Sequence, residues 1–219
     1  MLEIACFNAT SAIAAAGAGA DRVELCSDYA VGGLTPSIDS LRRVRKEITQ
    51  PVNIMIRPRP GDFSYSDAEF EQMKLNIQSF KQEASGFVFG ILDHKNCVDE
   101  ARNAELVQLA APLPCTFHRA FDQIPEKFQA AKQLIECGFA SILTSGGQTD
   151  AVSGAAKVAE LQQELGNSIE LILGGGVRFT NIETLKRKTR VRWYHSAAIT
   201  GPGEAVDPNE VQKLKSQLR

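Results

Sequence analysis

The stretch CTFHRAFD, residues 115–122, sets a histidine, an arginine and an aspartate at the end of a segment whose Thr116 and Phe117 suit a strand. Imidazole exchanges a proton near neutral pH, and a nearby carboxylate orients and tunes it. Guanidinium grips a carboxylate or phosphate through two parallel hydrogen bonds. Charged groups are expensive inside a strand, so His118, Arg119 and Asp122 belong at an open strand end. The same residue types recur where other apolar runs stop: Glu3 in LEIAC, Glu24 in RVELC, Arg57 and Arg59 in IRPRP, Ser145 in LTSGG, and His195 with Ser196 in YHSAA. Glu3, Glu24, Arg57, His118 and Asp122 are the candidates for catalysis. Arg59, Arg119, Ser145, His195 and Ser196 are candidates for holding a ligand. The set suits acid–base chemistry on a small phosphorylated or carboxylated molecule: isomerisation, aldol-type cleavage or hydrolysis. A Schiff-base route is less well supplied, because no lysine ends any of these runs and Lys95 lies in a loop.

Two further groups of residues could bind something. In LGGGVRFTNIETL, residues 173–185, Gly175 and Gly176 let backbone N–H groups approach an anion, with Ser196 as a third candidate. The competing role is a tight turn before a helix capped by Thr180. Neither a phosphate-binding Walker loop nor a dinucleotide fingerprint is present. The cysteines stand at 6, 26, 97, 115 and 137 with no close pair, which indicates neither a zinc knuckle nor a disulfide framework. Cys6, Cys26 and Cys97 fall at or beyond strand ends on the same side as the polar residues. Soft thiolates select Cu(I), so Cys6 and Cys26 are candidate copper ligands; the competing role of each is a small buried hydrophobe. A hard-metal site from Glu3, Glu24, Asp93 and His118 is a weaker alternative.

The elements that must position these side chains follow from alternation. Eight short apolar runs, at 2–6, 22–26, 52–57, 86–92, 114–118, 140–145, 169–175 and 192–197, each precede a helix-like stretch, with no linker between them. That pattern predicts an α/β fold, a single (β/α)8 barrel over residues 1–219, with an open doubly wound sheet as the competitor. In a barrel, the C-terminal strand ends carry the chemistry. Period two in VNIMIR puts Asn53, Met55 and Arg57 on the inner face and Val52, Ile54 and Ile56 against helices. The long connection RPRPGDFSYSDAEF, residues 57–70, reads as a lid or pocket wall, or else a partner surface, with Ser66 or Asp67 capping the next helix.

Composition limits the partners. Charged residues make up 23%, hydrophobic ones 43%, and the net charge is −2, which argues against a general nucleic-acid or anionic-membrane binder. No apolar run reaches the roughly 18 residues of a membrane span, and the first residues lack the basic start of a secretory signal, so a cytoplasmic location is expected.

The segments ADRVELC (20–26), GGLTPS (32–37), IRPRPGDFSYSDAEF (56–70), FHRAFD (117–122), LTSGG (143–147) and HSAA (195–198) together resemble the CutC family, the copper homeostasis proteins. The resemblance implies a TIM-type barrel in the cytoplasm that assembles as a homo-oligomer, a dimer being favoured. It implies a role in copper tolerance or trafficking, with copper as Cu(I) bound through cysteines. Carried over by position, the family's polar mouth corresponds to Glu3, Glu24, Arg57, Arg59, His118, Arg119, Asp122 and His195, and Cys26 matches the cysteine closing its VELC motif. The segment LDHKNCVD, residues 92–99, departs from many relatives, so His94 and Cys97 gain no support from the family. The part between HSAA and the last helix is compact as well.

Overall fold

The computed structural model describes residues 1–218. Eight parallel strands pair in chain order and close, the last against the first. They are β1 (Leu2–Cys6), β2 (Arg22–Leu25), β3 (Val52–Met55), β4 (Gly86–Phe89), β5 (Cys115–Phe117), β6 (Ser141–Thr144), β7 (Glu170–Leu173) and β8 (Trp193–Ser196). The helices that follow them are α1 (Ala9–Gly17), α2 (Ile38–Glu47), α3 (Asp67–Phe80), α4 (Glu100–Ala110), α5 (Lys127–Glu136), α6 (Ala155–Leu165), α7 (Ile182–Thr189) and α8 (Pro208–Gln217). Closure excludes the open doubly wound sheet and gives the (β/α)8 barrel.

Alternation decides what each strand shows to each side. Leu2, Ile4 and Cys6 of β1, Val23 and Leu25 of β2, and Val52 and Ile54 of β3 join one apolar layer between the strands and the helices. Full burial of an aliphatic side chain stabilises by about 1.5–3 kcal/mol, so this layer supplies most of the drive to close. The intervening residues Glu3, Glu24, Asn53 and Met55 point into the barrel, and all of them are buried.

Local signals start the helices as their sequences suggest. Ser66 caps α3 in a reciprocal capping box with Glu69, and Ser37 caps α2 by accepting from the Ser40 N–H. Two expectations are corrected. Thr180 does not cap α7, which starts after Asn181, whose Oδ1 instead accepts the Arg178 N–H at 2.9 Å. Ser145, whose place in the SGG turn before a helix-like stretch also suited a cap, does not cap α6 either, because that helix begins after Gly154. Among the described residues no helix is long and apolar enough to cross a membrane.

Candidate functional site

A cavity of about 120 Å³ opens at the C-terminal ends of the strands, lined among others by Glu24, Cys26, Met55, Arg57, Phe63 and His118. His118 directly follows β5, and its N–H donates to the Phe89 carbonyl at 3.0 Å. Its Nδ1 accepts from the Ala120 N–H at 3.3 Å, so in the neutral ring Nε2 carries the proton. That Nε2 is buried and has no partner among the described residues. Burial first, and the Arg57 charge second, push the imidazole down to about 3, which keeps it neutral. The Phe63 ring packs 4.6 Å from it, and the bare Cα of Gly90 makes room for it on another side: a Cβ there would sit 2.8 Å from Nδ1.

Arg57 comes off β3 with its N–H donating to Thr35 Oγ1 at 2.8 Å. Its Nη1 donates to the carbonyls of Val31 and Gly33, and its Nη2 to that of Gly61, all at 3.0–3.1 Å. One guanidinium thereby ties the loop after β2 to the loop after β3. The 57–70 connection is a pocket wall in this respect, since it brings Phe63 to the cavity and against Arg57.

Beneath the cavity runs a chain of charges. His195 of β8 joins Glu3 Oε1 through Nδ1 at 2.9 Å, and its Nε2 lies 3.4 Å from Glu24 Oε2. Arg22 closes the lower end with Nε 2.5 Å from Glu3 Oε2, and its guanidinium lies 4.0 Å over the Trp193 ring. For Glu3, burial alone would raise the pKa, but Arg22 and His195 outweigh it and hold the carboxyl down to about 2. Burial pushes Glu24 up to about 7, with His195 opposing and Glu3 adding to the rise. Burial opposes charge on His195 too, yet Glu24 and Glu3 raise its pKa overall. The expectation that Glu3 sits at the open end is corrected, since it is the second residue of β1 and lies deeper, beside Arg22 and Asn53.

Asp122, one of the candidates for catalysis, is bonded to the loop after β6. Its carboxylate accepts from Thr144 Oγ1, from both the N–H and the hydroxyl of Ser145, and from the Gly147 N–H. Arg119 bonds both Asp122 and Ser145 at 2.8 Å. Asp122, Arg119 and Ser145 therefore tie the β5 and β6 loops together, and only Arg119 of the three lines the cavity. Arg59 is also set apart: it bonds Asp62, Glu69 and the Ser64 carbonyl outside the cavity. Gly175 and Gly176 adopt left-handed backbone at φ 95° and 73°, and their carbonyls accept from the Ala151 N–H and the Asn181 side chain. Ser196 is bonded to the Val177 carbonyl and to Arg178.

Cys6 and Cys26 fall in different apolar groups, although each lies near enough to the other that Cys6 is among the causes pushing the Cys26 thiol up, after burial and Glu24. Cys26 belongs to the small apolar group at the mouth with Met55, whereas Cys6 is in the layer facing the helices and its sulfur contacts the Ile4 carbonyl. Burial, and then Glu24, push both thiols well up. Cys97 is exposed, and Asp93 is occupied with the N–H groups of Lys95 and Cys97 in its own loop. Among the described residues no three His, Cys, Asp or Glu side chains are grouped to hold a metal ion, and this includes the hard-metal set of Glu3, Glu24, Asp93 and His118.

Arg22, Phe63 and Arg178 matter more here than their sequence context suggests. Arg22 had a readable signal, since it shares the inner face of β2 with Glu24 at period two and is the register partner of Glu3.

A closed parallel barrel with a cavity of mixed apolar and charged lining at the C-terminal strand ends defines a TIM-barrel protein. The comparisons narrow this to one family. The CutC family model matches residues 1–200, and the chain belongs to that family. It is 38% identical over 200 residues to the family protein CutC of Mesorhizobium japonicum, covering 91% of this chain and 78% of the relative. With that of Salmonella enteritidis it is 42% identical over 199 residues, covering 90% and 79%. The solved structure of Streptococcus agalactiae CutC, a protein named for copper homeostasis, superposes with a TM-score of 0.85 at 32% identity over 90% of this chain and 98% of that one. Phosphoribosyl anthranilate isomerase of Thermotoga maritima shares the fold alone, with a TM-score of 0.61 at 12% identity over 99% and 97% of the chains.

Proposed function

We propose that this protein is an enzyme that performs acid–base chemistry on a small anionic metabolite in the mouth cavity. One observation carries the reading. Glu24 Oε1, Arg57 Nε and His118 Nε2 are all buried without a hydrogen-bond partner among the described residues, and all three side chains line the same cavity. Orphaned buried polar atoms are rare and unfavourable, and three around one cavity are what a missing ligand would satisfy. In this reading Glu24 transfers the proton, since a carboxyl near 7 serves both as acid and as base at neutral pH. His195 positions it from below, Arg57 supplies fixed positive charge, and His118 donates a neutral hydrogen bond to an oxygen on which charge develops. Every group named comes from one chain, so the cytoplasmic dimer implied by the resemblance is compatible with the reading without being required by it.

The test is incubation of the protein with a small-molecule extract, followed by mass spectrometry. The wild type should convert at least one anionic metabolite. Glu24→Gln should slow that conversion by about 100-fold or more while melting at a similar temperature. If no metabolite changes in the wild type, the reading fails.

Copper handling is the alternative that the family name brings. Cu(I) prefers two or three soft donors, with thiols deprotonated. At the mouth those donors reduce to the Cys26 thiol, held protonated by burial and Glu24, and the Met55 thioether, while Cys6 faces the other layer. Among the described residues no three His, Cys, Asp or Glu side chains are grouped for a metal ion, which is why the acid–base reading stands first.

A further inference from the structure

The cavity contains a cation without an anion. Arg57 is only 6% exposed, and its guanidinium donates to three carbonyl oxygens and to no carboxylate among the described residues. The neighbouring Tyr65 phenol is no counter-ion, because burial pushes it up to about 12. The acidic groups around the mouth are engaged elsewhere: Glu3 with Arg22 and His195, Glu24 against His195, and Asp122 with Arg119. A guanidinium stays charged, and leaving it buried and unpaired is strongly unfavourable, so the ligand itself must supply the negative charge.

The choice between phosphate and carboxylate follows from where donors remain. In many barrels phosphate sits between the loops after β7 and β8. Here the side chains of those loops satisfy one another. Arg178 donates to Ser196 Oγ at 2.9 Å and to the carbonyls of Val177 and Ile199 at 3.0 and 3.2 Å. Ser196 Oγ donates to Val177 and accepts from the Ala198 N–H, and Glu210 places its own carboxylate on the Phe179 N–H at 2.8 Å. Of the buried side-chain donors without partners among the described residues, which also include Arg22 Nη2 and the Tyr65 and Tyr194 hydroxyls, the two that line the cavity are on the other side, at Arg57 and His118. Both touch Phe63, with the Arg57 guanidinium 5.1 Å and the His118 ring 4.6 Å from its centroid, so a charged and a neutral donor flank one aromatic ring. A space of about 120 Å³ is well below the several hundred Å³ of larger metabolite sites.

Resting on the acid–base reading, we propose that the ligand is a small 2-oxo or 2-hydroxy acid, with its carboxylate against Arg57 Nε and its C2 oxygen against His118 Nε2. The cation then meets the full charge and the neutral imidazole meets the neutral oxygen.

Calorimetric titration with pyruvate and L-lactate, beside acetate and inorganic phosphate, tests this. At least one of the first two should bind about tenfold more tightly than acetate or phosphate, because only they engage both donors. His118→Phe should remove about tenfold of that affinity. The Nε2 proton resonance of His118 in the wild type should shift on binding, a readout that needs no variant. Binding of neither acid, equal competition by phosphate, or a His118 resonance unmoved by bound acid would each overturn the proposal. Conversion of a metabolite in the extract assay without binding of either acid would sink this ligand class and leave the enzyme reading standing. Binding without any conversion in the extract would instead sink the enzyme reading.

Discussion

Cys26 and Glu24 stand two residues apart on the inner face of the barrel; the carboxylate makes the thiol harder to ionise, whereas the thiol, as a hydrogen-bond donor, makes the carboxyl easier to ionise. For the thiol, burial is the larger cause and the carboxylate adds to it. A Cu(I) ligand must lose its proton, so a sulfur in this setting is a poor one. In a competition titration of reduced protein with Cu(I), Cys26→Ser and Met55→Leu should therefore each change the affinity by less than about twofold. A loss of tenfold or more in Cys26→Ser would return copper to first place. The sequence position of Cys6, at the end of a strand, suggested a partner for Cys26. Its parity with Leu2 and Ile4 already assigned it to the opposite face, and that signal outranks nearness to the strand end.

The elements hold the site by a few buried polar ties. Asn103 of α4 has no exposed surface, and its side chain accepts from the Ile91 N–H and donates to the Ile91 and Asp99 carbonyls. It fixes the chain just past Gly90, the residue whose missing side chain makes space for the His118 imidazole. Asn103→Ala leaves the buried Ile91 amide unpaired, while the Ile91 carbonyl keeps the Asp99 N–H, and should destabilise the fold by about 1–3 kcal/mol, read as a lower urea midpoint at unchanged slope. Retention of wild-type stability would show that water or a shifted backbone replaces these bonds. The strands and helices were legible because apolar alternation and caps such as Ser66 and Ser37 act locally. The role of Asp122 was not, because its partners Thr144, Ser145 and Gly147 come from the next βα unit and no spacing within FHRAFD points to them. Arg57 was legible as an inward-facing cation, whereas the carbonyls it binds depend on how two glycine-containing loops fold.

For the whole molecule, a buried neutral His118 couples stability to pH. Its pKa falls from 6.5 to about 3 on folding, so the unfolded chain takes up a proton first as the pH drops. The stabilisation is complete above 6.5 and is lost progressively as the pH falls toward about 3. Glu3, lowered from 4.5 to about 2, adds a loss in the same direction lower in the range. Glu24, raised from 4.5 to about 7, acts in the opposite sense over the same range, so the expectation is a difference: the melting temperature of the wild type should drop relative to that of His118→Phe between about pH 6.5 and 4.5, where Glu3 contributes little. An unchanged profile in that variant would mean that the imidazole is protonated in the folded protein.

The charge chain in the barrel floor joins the first strand to the last, since Glu3 meets His195 across a separation of 192 residues. During synthesis the amino-terminal strand emerges with Glu3 and waits for almost the entire chain before its imidazole partner exists. Until β8 arrives, the first strand has one open edge and a carboxylate without one of its two cationic neighbours. Hydrogen-bond closure of the barrel and completion of that ion network are therefore one event, which waits until β8 has been made. Any nascent form shorter than this presents an unpaired parallel edge to its surroundings, and its handling by chaperones would be set by how long the ribosome takes to reach residue 196.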